Sequence, residues 1–87
     1  MDKYLRILYF LRHIMSRDME VKIVERLNYL MKIESITQYA LAKKLGICQS
    51  TVSNWLHGKK EPSIESLWKL ADFFDVTVDY LIGRAEE

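Results

Sequence analysis

The stretch Ala42–Lys60, AKKLGICQSTVSNWLHGKK, decides how this chain is read. It holds four lysines, no acid, and a crowd of small polar side chains at Gln49, Ser50, Thr51, Ser53 and Asn54. Apolar residues lie at helical spacing in and just before it: Leu41, Ala42 and Leu45 before Gly46, then Val52, Trp55 and Leu56 after it. Such spacing predicts two short amphipathic helices, one from Thr37 to Leu45 and one from about Gln49 to His57. Only Gly46, Ile47 and Cys48 connect them. Two helices on so short a connection must cross steeply. A steep crossing needs a small residue at closest approach, a glycine in the turn and an apolar plug on the second helix. Ala42, Gly46 and Val52 meet those needs.

The flanking sequence extends the helical pattern. Ile23, Leu27, Leu30 and Met31 form a stripe on a segment from about Met19 to Lys32, with Ser16 or Asp18 as candidate N-caps. Thr37 is the candidate cap of the next helix. After the GKKEP loop, Ser63 caps a helix whose stripe is Ile64, Leu67, Leu70, Ala71 and Phe74, with Trp68 and Phe73 beside it. Thr77 caps a last short helix, VDYLI, which Gly83 ends. The final RAEE is expected to fray.

Composition limits the alternatives. Eighty-seven residues, 49% of them apolar, make one domain with a modest core. One proline and three glycines leave few turn signals, so the expected class is all-α. One cysteine excludes an intrachain disulfide framework and a cysteine-cluster metal site, and fits a reducing cytoplasm. No apolar run approaches the ~20 residues of a membrane span. The opening MDKYLRILYFLRHIM has Asp2 near its start, arginines inside its apolar run and no small-residue cleavage site, so it is not read as a signal peptide.

The net charge of +1 conceals a polarised chain. Residues 1–34 carry +2, residues 35–60 carry +4 with no acid, and residues 61–87 carry −5. Such a domain can present one face to a polyanion, although solvated charge alone would give the same distribution. No enzyme chemistry emerges: His13 and His57 lie on different helices, and there is no Gly-rich phosphate loop or Ser/His/Asp arrangement. No catalytic residue, metal site or cofactor is expected.

The ordered set Gln38-x-x-x-Ala42-x-x-x-Gly46, the apolar residue at Val52, the GKKEPS loop and the VTVDYL ending resembles the lambdoid phage repressor and Cro type of helix-turn-helix, the xenobiotic-response-element family. The likeness covers about Val21 to Gly83. It implies a five-helix, lambda-repressor-like domain whose fourth segment enters the DNA major groove. Base contacts are then expected from Gln49, Ser50, Ser53 and Asn54. Glutamine and asparagine can each read adenine bidentately, and serine can contact several bases. The resemblance also implies that Gln38, eleven residues before Gln49, binds phosphate and braces it. Thr37, His57, Lys59 and Lys60 match phosphate-contacting positions, and Thr51 is a further candidate, turned partly toward the core. Lys43 and Lys44 add positive potential.

Each residue also has a plainer role. Gln49 and Asn54 taken alone are ordinary exposed polar residues, and Trp55 is core because it shares a face with Val52. Cys48 departs from the family, which has Ser or Thr as N-cap there. It is either a small, semi-buried substitute that caps poorly or a thiol whose position at a helix N-terminus makes it redox-sensitive.

The organisation expected is an N-terminal amphipathic helix over 1–17, a helix-turn-helix domain over 18–84 and a tail over 85–87. Three readings of the first segment stand: it joins two subunits, it covers another face of its own domain, or the natural start is Met15 or Met19. The functional expectation is a sequence-specific transcriptional regulator in the cytoplasm, a repressor acting as a homodimer on a palindromic double-stranded operator. Control would come from concentration or a regulatory protein partner. The rival is a protein-interaction module on the same fold, antitoxin-like or an anti-repressor subunit.

Overall fold

A computed structural model describes residues 3–8 and 21–86 of the chain. Residues 3–8 are helical and are termed α1. The remaining helices are α2 (Ile23–Ile33), α3 (Gln38–Leu45), α4 (Gln49–Leu56), α5 (Ile64–Phe74) and α6 (Val78–Ile82). Phe10, Leu11, Ile14 and Met15 of the expected N-terminal stripe, and the candidate caps Ser16 and Asp18, lie outside the described residues.

The helices begin where local hydrogen-bond chemistry starts them. Thr37 Oγ1 accepts from the Ala40 N–H at 3.1 Å, Ser63 Oγ from Ser66 N–H at 3.1 Å and Thr77 Oγ1 from Tyr80 N–H at 3.0 Å. Each satisfies one of the orphan donors of a first turn. Cys48 has the extended backbone of an N-cap but makes no side-chain cap bond. The second expected segment begins later than Met19. The Lys22 N–H is held by the Ile82 carbonyl at 3.0 Å, which draws the chain along α6 before α2 starts at Ile23.

Two glycines close turns that other residues would strain. Gly46 ends α3 at φ 71°, with its N–H on the Ala42 and Lys43 carbonyls, and the Ile47 N–H also bonds Ala42 O at 3.0 Å. Gly83 ends α6 at φ 93°, where a Cβ would lie 2.9 Å from Lys22 Cβ.

One core unites the five helices α2–α6. Its fully buried large side chains are Leu27, Leu41, Val52, Leu70 and Leu81, one from each helix. Around them pack Ile23, Leu30, Met31, Ala42, Trp55, Ala71 and Phe74. The all-α, lambda-repressor-like packing expected from the sequence is present, with α1 in addition.

The α5 stripe needs correction. Leu70, Ala71 and Phe74 are buried and Leu67 packs against the core, but Ile64 is 87% exposed and Trp68 72%. The core reaches only the C-terminal two-thirds of this helix. Ile64 is its first residue and lies ahead of the buried part of the stripe. Phe73 is partly exposed and sets its ring edge-on against Phe74, 4.9 Å between centroids.

Candidate nucleic-acid interface

The interface starts from the α3–α4 crossing. Ala42 and Val52 are buried where the two helices meet, and Trp55 is 3% exposed on the same side of α4. These three side chains fix which way α4 faces. With Val52 and Trp55 turned inward and Leu56 packed against the core, the rest of α4 turns toward solvent, because successive residues turn ~100°.

The outward residues are those expected to read bases. Gln49 and Ser50 are exposed in the first turn, and Ser53 and Asn54 are half-buried one turn on. Neither α3 nor α4 carries an acid in its first turn, and α3 ends on Lys43 and Lys44. Both lysines are exposed, as are Thr37, His57, Lys59 and Lys60, while Gln38 and Thr51 are half-buried. Thr37 is committed as a cap through its acceptor lone pair, which leaves its hydroxyl hydrogen free to donate. In the free chain no hydrogen bond joins the Gln38 and Gln49 side chains among those described.

The C-terminal end of α4 is organised by bonds that sequence reasoning missed. The Asn54 carbonyl accepts from the Lys59 N–H at 2.9 Å and from the Lys60 N–H at 3.4 Å. The backbone of both lysines is thereby anchored to the last turn of α4. Gly58 at φ 71° gives the chain the reversal this needs, and was the available signal. His57 Nδ1 lies 2.8 Å from the Ser53 carbonyl and 3.3 Å from Ser53 Oγ. A carbonyl only accepts, so the short contact is a hydrogen bond in the form that carries its hydrogen on Nδ1. The spacing of four residues could have suggested this pair. Asn28 Nδ2 donates to Val24 O at 2.8 Å and to Leu56 O at 3.4 Å, which ties α2 to the end of α4.

Cys48 is a free thiol at the start of α4, and it is exposed where a semi-buried residue was expected, because the N-cap position precedes the first turn that packs on the core. Among the described residues no group of His, Cys, Asp and Glu could hold a metal ion. No helix among them is long and apolar enough to cross a membrane.

Comparison with known proteins agrees with this geometry. A family model described as "Helix-turn-helix" matches residues 27–81, which include all of α3, α4 and the crossing. The chain is similar to the HTH-type transcriptional regulator AnsR of Bacillus subtilis, 39% identical over 64 residues, which are 74% of this chain and 55% of AnsR. It is also similar to an HTH-type transcriptional regulator of Methanocaldococcus jannaschii, 37% identical over 54 residues, 62% of this chain and 82% of that protein. A crystal structure of a transcriptional regulator from Listeria innocua superposes with a TM-score of 0.72 at 29% identity, over 78% of this chain and 64% of that one. The chain spans about half the length of the first Bacillus relatives it matches. Each of these relatives is named as a transcriptional regulator. The crossing at Gly46, the polar outer face of α4 and the match over residues 27–81 converge: the chain belongs to the helix-turn-helix family of transcriptional regulators.

Proposed function

We propose that this protein binds double-stranded DNA in a sequence-specific manner, with α4 in the major groove. The observation that carries the reading is the outer face of α4. Gln49, Ser50, Ser53 and Asn54 share it, with no large apolar side chain between them, while Val52 and Trp55 hold the opposite face in the core. Gln49 and Asn54 supply paired donors and acceptors for adenine edges, and each bidentate contact discriminates by ~1–3 kcal/mol. Ser50 and Ser53 add shorter contacts.

Phosphate contacts flank this reading edge. Lys59 and Lys60, held by the Asn54 carbonyl, grip the backbone beyond the C-terminal end of α4. Thr37, Gln38, Thr51 and His57 add hydrogen bonds, with Gln38 bracing Gln49 once DNA is bound, and Lys43 contributes positive potential. Such contacts fix register and supply most of the affinity, whereas base contacts supply the choice of sequence.

One recognition helix reads only a few base pairs. A homodimer places two of them ~34 Å apart on one DNA face and selects a palindromic operator. We read the protein as such a dimer, a cytoplasmic repressor of bacterial or phage origin. The N-terminal segment over 1–17 joins subunits, and the domain over 18–84 binds DNA. Binding measured across ~50 to ~200 mM salt tests this reading against a protein-interaction module. A DNA binder making several phosphate contacts weakens steeply over that range. No DNA binding at the low-salt end contradicts the proposal and favours the antitoxin-like or anti-repressor alternative.

A further inference from the structure

The two ring nitrogens of His57, just past α4, are not equivalent. Nδ1 lies 2.8 Å from the Ser53 carbonyl and 3.3 Å from Ser53 Oγ, and the first contact is a hydrogen bond only with a hydrogen on Nδ1. The neutral ring has a single hydrogen, so Nε2 is then a lone pair. Among the described residues Nε2 has no hydrogen-bond partner, and the residue is exposed. A phosphate oxygen offers lone pairs only, so Nε2 of this neutral ring cannot donate to it. Moving the hydrogen to Nε2 makes a neutral donor, but it sets the Nδ1 lone pair against the Ser53 carbonyl at 2.8 Å. The imidazolium alone meets both demands, donating from Nδ1 to Ser53 and from Nε2 to phosphate.

We propose that His57 holds a DNA phosphate only as the imidazolium, so that DNA binding takes up a proton at Nε2. The inference rests on the DNA-binding reading above and adds a proton to it. The charged groups around His57 fit this role. The loop that follows carries Lys59 and Lys60, whose backbone is tied to Asn54, and then Glu61. α4 has no charged side chain, and α3, which crosses it, has Lys43 and Lys44 and no acid. From α2, the uncharged Val24 and Asn28 reach this end of α4, and the charged side chains of that helix are Glu25, Arg26 and Lys32. Neither Glu25 nor Glu61 pairs with His57, so a phosphate is the anion that its second nitrogen meets.

The sign follows from linkage. Binding that takes up a proton is strongest at low pH and weakens as pH rises through the range in which histidine side chains titrate. One proton per bound chain changes affinity by at most about tenfold per pH unit. The added charge also neutralises one more phosphate, so the salt slope per chain is steeper by about 0.9 at low pH.

The experiment is calorimetric titration of the full chain with a short mixed-sequence DNA duplex at ~50 mM salt, at pH ~6 and ~8, in two buffers of different protonation enthalpy. The buffer difference gives the number of protons taken up. The expected result is uptake of up to one proton per bound chain, with tighter binding at the lower pH. His57→Gln, which keeps a neutral N–H donor at an exposed position, loses both the uptake and the pH dependence. His57→Arg, charged throughout, binds with the steeper salt slope at both pH values. Binding without proton uptake at either pH overturns the proposal and leaves the DNA-binding reading standing. Uptake that persists in His57→Gln places the proton elsewhere and overturns it too. No binding at either pH overturns the DNA-binding reading and this inference with it.

Discussion

The Arg26 guanidinium lies 4.4 Å from the centre of the Tyr80 ring and donates to the Tyr80 carbonyl at 3.2 Å. The same guanidinium donates to the Ala85 carbonyl at 3.0 Å. A single buried cation thus fastens α2 to α6 and to the residues that follow it. The two carbonyls and the ring face replace the water that Arg26 gives up on burial. The ion pair with Glu86, at 3.5 Å, adds little because the carboxylate is in solvent.

Arg26→Ala is therefore expected to destabilise the domain by about 2–3 kcal/mol in urea unfolding, through lost packing, stacking and hydrogen bonds. Arg26→Lys recovers only part of this, since an ammonium cannot fork between carbonyls while stacking on a ring. Glu86→Gln is expected to change stability by less than about 0.5 kcal/mol. An Arg26→Ala protein as stable as the original would show that the tie contributes nothing.

Gly83→Ala is expected to cost at least about 1 kcal/mol. Two terms act together: φ of 93° is strained for alanine, and the new methyl meets the Lys22 stem at 2.9 Å. Gly46→Ala tests the first term alone, because no atom lies within 4 Å of a Cβ there. Thermal unfolding of the two variants should rank Gly83→Ala as the more damaging.

At the start of α4, Cys48→Ser should stabilise by up to about 1 kcal/mol, since a hydroxyl restores the side-chain cap that the thiol does not make. Thr37→Ala and Ser63→Ala should each cost about 1 kcal/mol. DNA binding with and without peroxide, for the original chain and for Cys48→Ser, separates capping from redox control. Equal binding in all four cases leaves Cys48 as a plain substitute.

At the interface, Lys59→Ala is expected to weaken binding to all sequences alike and to lower the salt slope by about 1. Gln49→Ala is expected to relax preference at one position of each half-site, costing ~1–3 kcal/mol there with little change in salt slope. Titrations against one preferred and one scrambled duplex at several salt concentrations check both. A Lys59→Ala effect confined to one sequence would contradict its role at the phosphate backbone.

The parts of the fold legible in the sequence were those set by short-range chemistry. Thr37, Ser63 and Thr77 are caps because each side-chain oxygen reaches the backbone N–H three residues ahead, and Gly46 is a helix stop because glycine takes the left-handed turn without the steric cost of a Cβ. The face of α4 was legible because Val52 and Trp55 determine it. Ile64 was misread because periodicity gives the direction of a stripe and not how far along the helix the core extends, while Trp68, placed beside the stripe, is exposed. The Arg26 tie was hidden for a different reason: its partners lie 54 to 60 residues away. The anchoring of Lys59 by the Asn54 carbonyl uses backbone atoms, which the side-chain pattern does not announce.

If the outer face of α4 reads bases, its side chains decide which duplexes the protein retains. Selection of bound duplexes from random DNA by the intact chain tests it most directly. The expected result is enrichment of a two-fold-symmetric site with half-sites about one helical turn apart, and loss of preference at one position per half-site for Gln49→Ala. Failure to enrich any sequence at low salt, or an unchanged consensus for Gln49→Ala and Asn54→Ala alike, would contradict it.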